Sequence, residues 1–301
     1  MAQPHAHSKE AGTEAPWTIL KVLQWTTGYF QRHEIEQARA NAEVLLAHVL
    51  GLERIQLYLR HDQPLTGDEL AKFREVVRRR AAREPTQYIT QKQEFWSLDF
   101  EVTPSVLIPR PETELLVQLA AEILGTASAR VLDLGTGSGA IAVALAHECP
   151  NLAIVAIDSS PAALEIAGRN AIRHGVGHRI AMVAMDLFSG LTPSPHFDLM
   201  VSNPPYIGDT EFSGIAPEVS RYEPETALKG GGSEGLRVIR RILGDMPSYL
   251  KAGGYLLMEI GQGQASLLAE ELEGNPQVED HAFIEDYSGV LRVLKLRKSH
   301  R

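Results

Sequence analysis

Asn203-Pro204-Pro205-Tyr206 combines residue types suited to holding an amino group whose lone pair is delocalised into a neighbouring carbonyl or ring. Such a nitrogen is a poor nucleophile. It attacks a carbon only if its two hydrogens are held while the lone pair turns out of conjugation. The Asn203 side-chain oxygen and the Pro204 carbonyl are acceptors for those hydrogens, while Pro204 and Pro205 bring no competing N–H and stiffen the chain. Fixed acceptors also stabilise the positive charge that develops on the nitrogen. Tyr206 adds a flat π face for a planar group and for the cation. Asn followed by prolines ordinarily marks a turn, and here it follows the apolar run Asp198-Leu199-Met200-Val201-Ser202, which reads as a strand.

A second constellation is Val131-Leu132-Asp133-Leu134-Gly135-Thr136-Gly137-Ser138-Gly139-Ala140, a strand, a glycine turn and a helix start. Gly135, Thr136, Gly137, Ser138 and Gly139 form a loop in which the chain turns sharply and a ligand approaches the backbone. Gly135, Gly137 and Ala140 also fit a dinucleotide pattern, with Asp158 lying 23 residues after Gly135. Asp133 separates the two readings: a carboxylate there repels a pyrophosphate but suits the ammonium of a methionine moiety. S-adenosyl-L-methionine carries that ammonium and a sulfonium, and would leave S-adenosyl-L-homocysteine as product. Asp158 is expected to accept from both ribose hydroxyls, Asp186 from the adenine amino group, and Leu187 to lie against the ring. All three acids fall at strand ends, where open α/β sheets bind ligands. No metal is assigned.

These residues need a sheet to position them. From Arg130 onward, strand candidates at 130–134, 152–157, 180–185, 198–202, 254–260, 278–285 and 290–296 alternate with helical segments, except for a terminal hairpin around Asp286 to Gly289. The expected fold is α/β, a seven-stranded Rossmann-like class I methyltransferase domain over 111–301. Ahead of it, Trp96, Leu98, Phe100 and Val102 alternate with polar residues, so 86–110 reads as a β-hairpin linker. Pro111, Glu112 and Glu114 open a helix reaching about Leu124. Residues 16–85 read as a small helical domain: a helix from Trp17 to Phe30 with Pro16 in its first turn, a stripe from Ala38 to Val49 ending at Gly51, and a capping box at Thr66-Gly67-Asp68-Glu69 opening a helix to about Arg83. Arg78-Arg79-Arg80 reads as a solvated helix face. Residues 1–15 read as a disordered tail.

Composition narrows the class. Cys149 is the single cysteine, which excludes an internal disulfide framework and fits a reducing, cytoplasmic compartment. No segment has the roughly 20 apolar residues of a membrane span. Residues 1–85 carry 12 Lys and Arg against 11 Asp and Glu, leaving 17 against 27 for the remainder of a chain with net charge −9. An acidic catalytic domain is poorly suited to a polyanion, so no direct nucleic-acid substrate is expected.

The motifs resemble those of the HemK/PrmC family of protein-(glutamine-N5) methyltransferases, which modify peptide chain release factors. Besides the glycine loop and Asn-Pro-Pro-Tyr, the resemblance covers Tyr88-Ile89-Thr90, Glu94-Phe95-Trp96, Leu107 to Glu114, Tyr222-Glu223-Pro224, Ala227-Leu228, Gly230-Gly231, Glu234-Gly235-Leu236, Glu259-Ile260-Gly261 and Asp286 to Val293. It implies a helical domain that receives the release factor and a cofactor site at Gly135 to Gly139, Asp158, Leu187 and Asn203. It also implies a pocket of Asn203, Pro204, Pro205 and Tyr206 for the glutamine of a Gly-Gly-Gln loop, in a monomer. Asn-Pro-Pro-Tyr is shared with adenine-N6 methyltransferases acting on DNA or RNA, which is the alternative reading. The loop 207–232 is long, as lids near sites often are.

Replacing Asp158 by Ala is expected to weaken S-adenosylmethionine binding by roughly 1 to 3 kcal/mol, as loss of a charged hydrogen-bond partner does. Calorimetry checks this. Affinity for NADH with none for S-adenosylmethionine would instead make the protein a dehydrogenase.

Overall fold

The computed structural model describes residues 16–300, so the expected tail at 1–15 lies outside the described residues. The chain forms two compact units that divide between Thr90 and Gln91.

The first unit is helical, with α1 (Ile19–Arg32), α2 (Ala38–Leu50), α3 (Arg54–Leu59), α4 (Gly67–Ala81) and α5 (Thr86–Thr90) around Leu23, Phe30, Leu45, Leu46 and Phe73. Helix α1 begins later than the position of Pro16 suggests, because the Thr18 hydroxyl accepts the Lys21 N–H at 3.4 Å and so fixes the N-cap. Helix α2 ends at Gly51 in the left-handed region, and the Thr66/Glu69 capping box opens α4, both as read. Helix α4 stops at Ala81, short of Arg83. The three arginines near its end do not share a solvated face. Consecutive helical residues point about 100° apart, and Arg80 is buried with its Nε on Asn41 Oδ1 at 2.9 Å, while Arg79 pairs with Glu84 at 2.6 Å.

The second unit opens with the hairpin β1 (Lys92–Phe95) and β2 (Leu98–Glu101), in which Phe95 pairs with Leu98. Trp96, which the alternation places in a strand, occupies the turn instead. Trp96 and Ser97 have φ of 53° and 55°, as a two-residue turn matched to the strand twist requires of both central residues. The hairpin is packed into this unit: Phe95 and Phe100 are buried in its core, in edge contact at 6.0 Å.

Pro111–Thr113 form a 3-10 turn leading into α6 (Glu114–Leu124), and β3 (Ala129–Leu134), α7 (Ala140–Glu148), β4 (Leu152–Asp158), α8 (Pro161–Arg173), β5 (Ile180–Ala184) and β6 (Phe197–Ser202) follow. After the short α9 (Pro217–Tyr222) come α10 (Arg237–Asp245), β7 (Leu250–Glu259), α11 (Gln264–Leu272), β8 (Val278–Glu285) and β9 (Leu291–Lys298). The seven strands lie in the order β5-β4-β3-β6-β7-β9-β8, parallel from β5 to β7, with β9 antiparallel to both β7 and β8. Both faces are covered. Val131, Val201 and Leu257 pack with Leu116 of α6 and Leu145 of α7, whereas the alternate residues Leu132, Met200 and Met258 pack with Ile239 of α10 and Leu268 of α11.

Chain order changes direction at β3, which has β4 on one side and β6 on the other. Leu134 is in register with Ile157 and with Ser202, so Gly135, Asp158 and Asn203 each follow directly from aligned strand ends.

The fully buried Asn170 of α8 joins hairpin to glycine loop: its Oδ1 accepts the Glu101 N–H at 2.8 Å, and its Nδ2 donates to the carbonyls of Glu101 at 3.0 Å and Ser138 at 2.9 Å. Asn170→Ala is expected to lower stability by about 2–4 kcal/mol, because it removes the partner of three backbone groups, two part-buried at Glu101 and one buried at Ser138. Chemical denaturation measures this, and a loss within about 0.5 kcal/mol, as at an ordinary surface position, would contradict it.

Candidate active site

The glycine loop is held by its neighbours. Gly135 and Thr136 donate their N–H groups to the Ile157 carbonyl, both at 2.9 Å, and Gly137 donates to Asp158 Oδ2 at 2.9 Å. Gly139 has φ of 79° and a side chain there would meet the Ala167 Cβ at 3.0 Å, so α8 packs against the loop only because this residue is glycine. Beside the loop lies a cleft of about 370 Å³. Gly135 to Ser138, Asp158, Asp186, Leu187, Asn203 and Pro205 line it, facing Pro109 and Pro224.

Asp158 spans the loop and the next turn, since its Oδ1 also accepts the Ser160 N–H at 2.9 Å. Each carboxylate oxygen has a further lone pair for a ligand hydroxyl. Asp186 lines the cleft with both oxygens engaged by Arg241 of α10, at 3.3 and 2.8 Å. Asp186 is thus one half of an ion pair as well as part of the cleft wall, and each of its oxygens keeps a further lone pair. Leu187 presents an apolar side chain beside it, with its backbone at φ of 49°.

Asp133 is not on the cleft wall. It is fully buried beneath the glycine turn, where its Oδ2 accepts the Thr136 hydroxyl at 2.7 Å. It braces the turn from below, through this bond, and is set under the loop rather than on the cleft wall. Its Oδ1 has no hydrogen-bond partner among the described residues. Burial, with the Asp158 charge adding to it against the Thr136 bond, pushes its pKa up to about 7. A buried carboxylate with an unmatched oxygen under the loop fits a cationic ligand above it.

Asn203 begins a chain of hydrogen bonds. Its Nδ2 donates to Thr113 Oγ1 at 3.0 Å, Thr113 Oγ1 donates to Glu259 Oε2 at 2.6 Å, and Tyr206 Oη donates to Glu259 Oε1 at 3.1 Å. Pro204 is buried, and Tyr206 is largely enclosed with its hydroxyl on that carboxylate. Burial raises the Glu259 pKa above the usual carboxylate range, and burial together with the Glu259 charge raises that of Tyr206. Thr113, Glu259 and Arg241 carry no role in the sequence reading. The signal for Glu259 was present: a carboxylate closing the apolar run Tyr255-Leu256-Leu257-Met258 is costly unless paired.

The segment after Tyr206 is fastened rather than loose. Buried Gln264 donates to the carbonyls of Tyr206 at 2.9 Å and Glu234 at 2.7 Å. A Cβ on Gly235 would lie 2.0 Å from the Tyr206 carbonyl oxygen, so only glycine lets the chain recross there. Further along, buried Glu223 accepts from Arg110 at 2.5 Å and from the Ile108 N–H at 3.2 Å, tying the loop to the Ile-Pro-Arg-Pro-Glu-Thr segment over the cleft.

The sheet order and helical layers define a class I methyltransferase fold. Solved structures agree: a methyltransferase from Pyrococcus furiosus superimposes with a TM-score of 0.50 at 19% identity, covering 70% of this chain and 93% of that one. The N-terminal domain of human METTL16 in complex with SAH does so with a TM-score of 0.50 at 19% identity, over 68% and 77%. The family described as the PrmC N-terminal domain matches residues 21–90, and the methyltransferase small domain matches 111–233. The release factor glutamine methyltransferase of Geobacter sulfurreducens is 50% identical over 84% of this chain and 88% of its own, and that of Rhodopirellula baltica 38% identical over 96% and 99%. The chain belongs to the release factor glutamine methyltransferase family.

The raised Asp133 pKa has a definite sign for stability. Between its ordinary value of 3.8 and about 7 the folded chain keeps a proton that the unfolded chain has released. This contribution is full below 3.8 and is lost as pH rises through about 7. The ligand-free unfolding free energy of Asp133→Asn is therefore expected to decline less than that of the parent from about pH 4 to about pH 8. Parallel curves would show that Asp133 is ionised throughout.

Proposed function

We propose that this protein transfers a methyl group from S-adenosylmethionine to the N5 amide nitrogen of the glutamine in the Gly-Gly-Gln loop of peptide chain release factors. The observation that carries this reading is the alignment of Gly135, Asp158 and Asn203 at neighbouring strand ends, which sets an amide-holding group beside a nucleoside-binding loop. Gly135 to Gly139, Asp158 and Leu187 would hold the cofactor, which supplies an electrophilic methyl on a sulfonium. Asn203 and the Pro204 carbonyl accept the two hydrogens of the glutamine NH2, so its lone pair turns toward that methyl. Pro205 on the cleft wall and the ring of Tyr206 confine the planar amide. As the N–C bond forms and the S–C bond breaks, the nitrogen sheds one proton, and S-adenosylhomocysteine remains. No strong base is required, because the proton leaves once the nitrogen is cationic.

The helical unit is assigned to the release factor. Its helices α1 and α3 expose Trp25, Ile55, Tyr58 and Leu59, the kind of surface that binds a protein partner. A release factor as substrate supports a cytoplasmic location for the protein; among the described residues no helix is long and apolar enough to cross a membrane.

Incubation with methyl-labelled S-adenosylmethionine and an intact release factor is expected to label the Gly-Gly-Gln glutamine. Asn203→Ala is expected to lower the rate by about 100-fold, as removal of one preorganised polar group does, with cofactor affinity much less affected. Unchanged turnover would remove Asn203 from the mechanism, and labelling of adenine in nucleic acid instead would favour the alternative.

A further inference from the structure

Asn203 is useful to an amide substrate in only one of its two orientations. With Oδ1 toward the cleft it accepts from an NH2 group; flipped by 180° about its terminal torsion, it offers its own NH2 and favours a carbonyl or carboxylate. The residue is half-buried, and its two orientations have the same shape. Something other than packing has to choose between them.

The chain of hydrogen bonds beneath it makes that choice. An ionised Glu259 only accepts, so the single Thr113 hydroxyl hydrogen points to Glu259 Oε2, 2.6 Å away. The Thr113 oxygen then faces Asn203 with a lone pair at 3.0 Å, and only Nδ2 satisfies it. Thr113 is 4% exposed and Glu259 1%, so solvent does not substitute for either partner. Tyr206 occupies the second Glu259 oxygen as a donor at 3.1 Å, which leaves the carboxylate accepting from both sides. We propose that Thr113 and Glu259 are positioning residues that fix the polarity of the Asn203 amide and thereby make the pocket select an amide NH2 over a carboxylate. This rests on the function proposed above and adds what sets its specificity. Discrimination of this kind is effective because the wrong group leaves a buried polar atom facing its like.

The same geometry gives a pH dependence. Glu259 is faced by Thr113 and Glu112 from the 3-10 turn, by Tyr206, and by Arg292 of β9, and burial raises its pKa despite the attraction of Arg292. Once protonated, Glu259 can itself donate to Thr113, the direction of the chain is no longer forced, and Asn203 is free to turn. Methyl transfer is therefore lost as pH falls through the Glu259 pKa. Glu259→Gln carries a permanent donor and is expected to behave as the acid form does at every pH, slow and without that limb.

The test compares the parent with Thr113→Val, which keeps the shape, and Thr113→Ser, which keeps the hydroxyl. Each is assayed on an intact release factor carrying Gly-Gly-Gln, with the same factor carrying Gly-Gly-Glu as competitor. Thr113→Val is expected to lower kcat by about 10-fold or more, the value of one well-placed hydrogen bond, and to bind the Glu factor at least as tightly as the Gln factor. Thr113→Ser is expected to restore both rate and preference. A Thr113→Val enzyme with the parent's kcat and the parent's preference for Gln overturns the proposal. So does a Thr113→Ser enzyme as impaired as Thr113→Val, which would mean that the methyl packs rather than that the hydroxyl orients. A parent enzyme inert toward every glutamine acceptor would overturn the function itself, and this proposal with it.

Discussion

The register of β3 against its two parallel neighbours is the constraint on which the site depends. Pairing Leu134 with Ile157 and with Ser202 brings three loops distant in sequence to one edge of the sheet. The register is held by a core buried on both faces, where a slip of one residue would exchange the two sets of apolar side chains. Local bonds reinforce it at the edge itself: the Ser202 hydroxyl donates to the Leu134 carbonyl at 2.8 Å, and the Ile157 carbonyl receives two N–H groups from the glycine loop. Small displacements at the cleft are thereby resisted by the whole sheet.

Four acidic residues at or near strand ends illustrate how environment divides one chemistry into several roles. Asp158 is tied to two backbone N–H groups and lines the cleft, while Asp133 is sealed beneath the turn and carries a raised pKa. Asp186 is neutralised by Arg241 at the surface. Glu259 is buried with two hydroxyl donors, a costly arrangement in which an unpaired charge would be strongly disfavoured. Its burial makes sense if what matters is the direction in which neighbouring hydrogens point.

The roof of the cleft follows the same logic. Glu223 sits on α9's outgoing side and reaches Arg110 and the Ile108 amide, so the long loop after Tyr206 and the segment before α6 are joined by one buried carboxylate. Gly235 and Gln264 fasten the far end of that loop under Tyr206. A loop with buried polar anchors at both ends is a built wall, although its length alone suggests a lid.

The sequence by itself determined the alternation of seven strands with helices, the capping box at Thr66, the terminal hairpin at Asp286 to Gly289, and the two segments that line the cleft. Each of these is a local pattern: a period of two or of three to four residues, a glycine turn, an Asn beside prolines. Trp96 was misread because a hairpin turn and an alternating strand both tolerate an aromatic, and only pairing with β1 reveals which it is. Arg80 was misread because a basic run gives no sign that one member meets Asn41, 39 positions away. What only the tertiary structure decided were the partners: Asp133 with Thr136 beneath the turn, Asp186 with Arg241, Asn203 with Thr113 at a separation of 90 positions, and Thr113 with Glu259 at a separation of 146. A side chain's type and place in a strand fix what it can donate or accept, but the direction of a hydrogen bond depends on which group the fold brings within 3 Å of it.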